Sequence, residues 1–173
     1  MSGDDVELSL TLPTPEATAA LGAWLAPRLG AGEVLLLSGP VGAGKTHFAR
    51  ALIQTLLAAR GAIEDVPSPS FTLVQTYEAV GFEVWHVDLY RLSDPSEVWE
   101  LGLDAALDTA LCLIEWPERL GAHRPEDALT LTFAPGENEA ARSLSLHGPA
   151  ARWERLLDDV AAVFAPDDGR AAH

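Results

Sequence analysis

Several residue types are scarce in this chain, and each scarcity excludes something. One cysteine, Cys112, stands among 173 residues, which rules out an internal disulfide and a cysteine-built zinc site. It reads as a small buried hydrophobe in a strand. No apolar run approaches the ~20 residues that a membrane-spanning helix needs. The acidic start, Met1-Ser2-Gly3-Asp4-Asp5, lacks the basic and apolar stretches of a signal peptide, so a cytoplasmic protein is expected. Positive charge is scarce as well: 11 Lys and Arg against 26 Asp and Glu leave a net charge of −15. Nucleic-acid binders neutralise phosphates with basic patches. Autonomous binding of DNA or RNA is therefore not expected, and any role in RNA chemistry would pass through a protein partner.

Lysine is the scarcest charged residue. Lys45 is the only one, and it lies in Gly39-Pro40-Val41-Gly42-Ala43-Gly44-Lys45-Thr46. That segment fits the P-loop pattern G-x-x-x-x-G-K-[ST] at every fixed position. Such a loop wraps phosphates with backbone N–H groups, reaches the β- and γ-oxygens with a flexible cation and offers a hydroxyl to Mg²⁺. Gly42 and Gly44 permit a backbone approach that a Cβ would block. The loop is thus a candidate phosphate-binding segment, with Lys45 for the β- and γ-phosphates and Thr46 as a candidate metal ligand.

The surroundings of the motif supply its context. Glu33 to Ser38 is a short apolar run, as expected of a parallel strand buried on both faces, and Thr46 to Arg60 reads as a helix. Strand, glycine loop and helix in that order present helix N–H groups and a positive dipole end to an anion. Elsewhere, Val6 to Leu12 alternates as a strand. Pro15 to Leu29 has helical spacing with Thr14 as N-cap. Phe71 to Tyr77 and Phe82 to Tyr90 read as a hairpin turning at Ala79 to Gly81. Pro95 to Leu101 has helical character, and Leu111 to Trp116 is a second buried-strand run. Ala128 to Phe133 and Ser143 to Leu146 are later strands, and Ala150 to Phe164 is an amphipathic helix. The expectation is one α/β domain over residues 1–164 with a mixed, largely parallel sheet in three layers, and a loose tail at 165–173.

A P-loop needs an acid opposite it, at the end of a neighbouring strand. Asp88 ends one apolar strand and Glu115 another, where an unpartnered charge is costly. One is expected to serve the metal and the other to orient the attacking water; spacing leaves the assignment open. His86 shares the strand face of Asp88, so it is expected to support the site as a polar neighbour. Arg91 reads as either a phosphate-facing arginine or a salt-bridge partner, the latter preferred, and no arginine finger is evident near the loop. Ser68-Pro69-Ser70-Phe71-Thr72 occupies the place of a γ-phosphate-sensing loop. Guanine-specific hydrolases read their base through an [NT]-K-x-D loop, and a chain with one lysine cannot contain it. ATP is favoured by that elimination. Two other classes fit the same motif: a phosphotransferase acting on a small molecule, and a binding module that ATP locks without hydrolysis.

Four segments in order carry a resemblance: GPVGAGKT, SPSFTLVQTYE at 68–78, HVDLYRL at 86–92 and LIEWPERL at 113–120. Together they resemble the TsaE (YjeE) family of small bacterial ATPases, from the first helix to about Leu146. The resemblance implies a P-loop NTPase-like domain that serves threonylcarbamoyladenosine formation on tRNA, docks on TsaB and TsaD, and contacts tRNA only indirectly. It implies Thr46 and Glu115 as Mg²⁺ ligands with Asp88 close to the metal or water, and Lys45, Asp88 and Glu115 as the catalytic set. It also implies ATP contacts from Pro15, Val41 to Thr46, Ser70 and Trp116. Turnover without partners is expected to be weak, because no arginine finger is evident near the loop. His47 and Ser70 depart from the family's usual residues, a hydroxyl residue and threonine.

Overall fold

A computed structural model describes residues 4–69, 73–92, 94 and 96–165. The strands are β1 (Asp5–Leu12), β2 (Val34–Ser38), β3 (Val74–Glu78), β4 (Glu83–Asp88), β5 (Leu111–Glu115), β6 (Leu129–Pro135) and β7 (Arg142–Pro149). The helices are α1 (Pro15–Leu25), α2 (Lys45–Ala59), α3 (Ser96–Glu100), α4 (Leu103–Thr109) and α5 (Ala150–Phe164), with 3₁₀ turns at Ala26–Arg28 and Pro117–His123. The seven strands form one sheet in the order β1-β7-β6-β2-β5-β4-β3. Its centre, β6-β2-β5-β4, is parallel, and the hairpin partner β3 and the pair β7 and β1 extend it antiparallel at the margins.

The apolar run of β2 reflects burial on both faces. Leu35 and Leu37 pack with α1, α2 and α5 through Leu21, Phe48, Leu52, Trp153 and Val160. Val34 and Leu36 face the opposite core with Leu103 and Ala106 of α4 and Leu120. Helices therefore cover both faces of the sheet, and the three-layer α/β architecture expected from the sequence is the one observed.

Three local differences have physical causes. The first helix stops at Leu25 rather than Leu29, because Pro27 cannot donate to the ladder and the chain tightens into a 3₁₀ turn. Helix α4 was not expected from the sequence: Gly102, at φ 93°, starts it immediately before a strand, leaving too few residues for a helical period to emerge. Strand β7 runs from Arg142 to Pro149, longer than the alternating core Ser143–Leu146, because β1 pairs along its whole length and β6 from Arg142 to His147. Among the described residues, no helix is long and apolar enough to cross a membrane.

Candidate functional site

The carboxyl ends of the parallel strands converge where an open sheet of this kind receives its ligands. Strand β2 delivers the glycine loop there, and its neighbour β5 delivers Glu115, in register with Leu37. Strand β4 then places Asp88 directly beside Glu115. Among the described residues, buried polar or charged side chains are few, and Lys45, His86, Asp88 and Glu115 gather at this one edge. Unpartnered charges are costly in such places, so their gathering marks a site.

The loop holds conformations that side chains resist. Gly39 lies at φ 136°, and a Cβ there would come within 2.4 Å of the Phe133 carbonyl oxygen. Gly44 caps α2 at φ 105°, with no side chain bonded to the helix start. The first-turn N–H groups of α2 are therefore left for an anion. Lys45 folds back, donating from Nζ to the Gly39 carbonyl and lying 3.6 Å from the centroid of the Trp116 ring. Burial lowers its pKa below 10.5, against the opposing pull of Glu115, Glu118 and Asp88. A desolvated ammonium beside acids and an aromatic face is poised for a phosphate.

Thr46 and Glu115 meet across the site. The Thr46 hydroxyl lies 2.9 Å from one Glu115 oxygen and 3.0 Å from the other. Behind them, His86 Nε2 lies 2.7 Å from Glu115 Oε2, and the fully buried ring orients the carboxylate. The Asp88 carboxylate accepts from the Tyr90 N–H at 2.9 Å. His86 is thus the polar support expected from its strand face.

A cavity of about 490 Å³ opens over these groups. Pro15, Val41, Gly42, Gly44, Lys45, Thr46, Asp88, Glu115 and Trp116 all line it, so most residues singled out in the sequence come together. Ala43 lies within the same loop but is buried beneath it. Ser70 lies outside the described residues. Trp116 sits in the left-handed region at φ 61°, and Leu73 at φ 67°; these are the non-glycine residues with positive φ among those described. Both adjoin the site: Leu73 accepts from the Asp88 N–H, and Trp116 follows Glu115. His47, the departure after the threonine, has its Nε2 3.0 Å from the Pro15 carbonyl oxygen and so ties α2 to the start of α1.

Sequence reading missed Tyr90 and Arg142. Tyr90 packs its ring 4.8 Å from that of Trp116, and the only sequence signal was its position two residues after Asp88. Arg142 opens β7 and lines the cavity, bonded to carbonyls of the glycine loop. Its proximity follows from the sheet order, which local spacing does not reveal. Arg91 also lines the cavity. Two arginines therefore line the cavity, of which the sequence had offered Arg91 alone as a candidate.

Residues 12–144, more than three quarters of the chain, match the family described as "Threonylcarbamoyl adenosine biosynthesis protein TsaE". The chain is 44% identical over 108 residues to a tRNA threonylcarbamoyladenosine biosynthesis protein TsaE of Rickettsia conorii, covering 62% of this chain and 60% of that relative's length. A Bacillus subtilis protein of the same description is 32% identical over 148 residues, 84% of this chain and 89% of its own. The crystal structure of Bacillus subtilis YdiB superposes with a TM-score of 0.75 at 26% identity, over 93% of this chain and 98% of that one. The P-loop, the paired acids and a match that extends across all of them establish that this chain belongs to the TsaE family.

Proposed function

We propose that this protein is a Mg²⁺-dependent ATPase that serves threonylcarbamoyladenosine formation on tRNA, acting with TsaB and TsaD. The carrying observation is the Thr46–Glu115 contact, which brings the P-loop hydroxyl onto a carboxylate from the adjacent strand. A P-loop enzyme holds its metal with this pair of groups.

The donor set suits Mg²⁺. Among the described residues no three His, Cys, Asp or Glu side chains form an all-protein metal cage. Mg²⁺ keeps several waters and takes one or two carboxylates plus substrate phosphates, so one hydroxyl and one buried acid are sufficient from the protein. Thr46 and Glu115 would hold it, and it would supply charge neutralisation across the β- and γ-phosphates.

The chain's own groups account for the rest. Loop amides within Val41 to Thr46 wrap the phosphates, the Ala43 N–H being taken by the Pro40 carbonyl, and Lys45 leaves the Trp116 face for the β- and γ-oxygens. Asp88 orients water for in-line attack: a bond forms from the water oxygen to the γ-phosphorus, and the bond to the β–γ bridging oxygen breaks, giving ADP and phosphate. Pro15 and Trp116 supply apolar contact around the nucleotide, and Ser70 is taken as a further ATP contact from the family resemblance alone. His86 keeps Glu115 oriented throughout.

The acidic surface agrees with contact to tRNA through partners rather than directly. A protein that serves tRNA modification is expected in the cytoplasm. Residues 1–164 act as one domain in this reading, and Ala165, expected at the start of a loose tail, is instead buried against its core. Phosphate release from ATP and Mg²⁺ without any other acceptor is the expected result, and it separates hydrolysis from transfer to a small molecule. Undiminished release by a Lys45→Ala variant would sink the reading. Multiple-turnover tRNA modification by Glu115→Ala with TsaB and TsaD would replace it with a binding module. Absence of co-purification with TsaB and TsaD in any nucleotide state would remove the partners.

A further inference from the structure

We propose that Arg142 is the positioning residue of the phosphate loop, fixing its peptide planes so that the site distinguishes a diphosphate from a monophosphate. The proposal rests on the nucleotide-binding reading above and extends it to a residue 97 positions after Lys45.

Arg142 is at the first position of β7, paired with Pro135 at the end of β6. That edge of the sheet lies beside the strand that feeds the loop, since β6 adjoins β2. Its Nε donates to the Ala43 carbonyl at 3.1 Å, and one terminal nitrogen donates to the Gly42 carbonyl, also at 3.1 Å. The other terminal nitrogen donates to the carbonyls of Glu139, at 2.6 Å, and Ala141, at 2.8 Å. A guanidinium is a planar fork of N–H donors, so holding two successive carbonyls on one side fixes their peptide planes.

The consequence for the loop follows from the trans peptide bond, in which C=O and the next N–H point opposite ways. Fixing the Gly42 carbonyl turns the Ala43 N–H away from Arg142, where it donates to the Pro40 carbonyl at 3.2 Å and closes the turn. Fixing the Ala43 carbonyl likewise sets the direction of the Gly44 N–H at the mouth of α2. Gly42 and Gly44, at φ 80° and 105°, impose little conformational preference of their own, so the restraint has to come from outside the loop.

The anchor is itself rigid. Asn138 accepts from the N–H groups of Ala140 and Ala141, both at 3.0 Å, and Gly136 donates to the Ala141 carbonyl. A Cβ at Gly136 would come within 2.8 Å of Ala141, so the turn before Arg142 is closely packed. The charge also stands apart. In a chain of net charge −15, no carboxylate among the described residues pairs with Arg142; its acceptors are four neutral carbonyls. A cation left without a counter-charge on a cavity wall favours an anionic occupant.

The test compares full-length wild type, Arg142→Met and Arg142→Lys by calorimetric titration with ADP and with AMP, alongside their melting temperatures. Loop amides read the second phosphate, so both variants are expected to bind ADP about tenfold more weakly while AMP affinity stays within about twofold. Lysine keeps the charge but cannot span two carbonyls, and its failure to rescue is part of the expectation. Unchanged ADP binding, full rescue by Arg142→Lys, or an equal loss for AMP and ADP would each overturn the proposal. The last pattern, with a lowered melting temperature, would assign Arg142 to the hairpin alone. If Arg142→Met does not fold, Arg142→Lys decides. A wild type that binds no nucleotide removes the ATPase reading and this inference together. A wild type that binds ADP while the variants match it removes this inference only.

Discussion

The Thr46 hydroxyl bonds to both carboxylate oxygens of Glu115, at 2.9 and 3.0 Å, although the two residues are 69 positions apart in the chain. One comes from the first turn of α2 and the other from the last residue of β5, so the contact exists only because β2 and β5 are adjacent and parallel. A helix start and a strand end are both stiff supports, and the pair is held without a loop between them. His86 adds a third rigid support from β4.

Glu115→Gln tests this contact directly. The amide retains the shape and the contact with Thr46 but not the charge. Nucleotide binding measured without Mg²⁺ is expected to stay within about threefold, while Mg²⁺-dependent phosphate release falls by about 100-fold or more. Equal losses in both measurements would mean that Glu115 holds the loop rather than the metal.

Lys45→Met separates binding from stability. Burial lowers the lysine pKa despite three acids that pull it upward, so the charged form costs more in the fold than in the unfolded chain. The variant is expected to melt no lower than wild type at neutral pH, and to lose ATP affinity by about 100-fold. The sign with pH follows: below the lowered folded pKa both states carry the proton and the folded state bears the full penalty. The penalty fades as pH rises toward 10.5, where the unfolded lysine also becomes neutral. Any stability advantage of Lys45→Met over wild type is therefore expected to shrink between neutral and alkaline pH in parallel denaturation series.

Much of this site was legible because its chemistry lies in local strings. GPVGAGKT names its own geometry, and Asp88 and Glu115 were visible as acids ending apolar strands. The two-sided burial of β2 and β5 was equally legible, since such strands lose alternation and read as continuous apolar runs. Arg142 was not legible. Its role depends on β7 pairing with β6, β6 with β2, and β2 leading into the loop, a chain of non-local pairings that no periodicity encodes. Tyr90 and helix α4 escaped for a related reason: both are short features whose meaning comes from what packs on them.

Glycine positions in the loop are expected to respond unequally to alanine. At Gly42, φ is 80° but nothing lies within 4 Å of an added Cβ, so Gly42→Ala carries mainly the left-handed cost of about 1 kcal/mol. At Gly39 the same change adds a 2.4 Å clash with the Phe133 carbonyl, backbone that cannot swing aside as a side chain would. Gly39→Ala is expected to cost well over about 3 kcal/mol, in the range of severe single substitutions. Urea denaturation of both variants checks the order, and comparable midpoints would contradict it.

Cys112 gives a pH dependence that does not involve the nucleotide. Its thiol lies in β5 with no exposed surface, 3.5 Å from the Ala106 carbonyl, and burial pushes its pKa from 9.0 up to about 12. Below pH 9 both folded and unfolded chains keep the proton, and the thiol has no effect on the balance. Between 9.0 and about 12 the unfolded chain ionises while the folded one does not, so folding stability falls as pH rises through that window. Cys112→Ala removes this pH dependence and is expected to lose less stability than wild type between pH 8 and 10, measured as the change in unfolding free energy within each protein. The thiolate is also the reactive form. A thiol reagent at pH 8 is accordingly expected to leave the native protein unlabelled and to modify one cysteine per chain once denaturant unfolds it. Rapid labelling of the native protein would show that β5 opens readily beneath Glu115, and would place the support of the acid pair on a mobile strand.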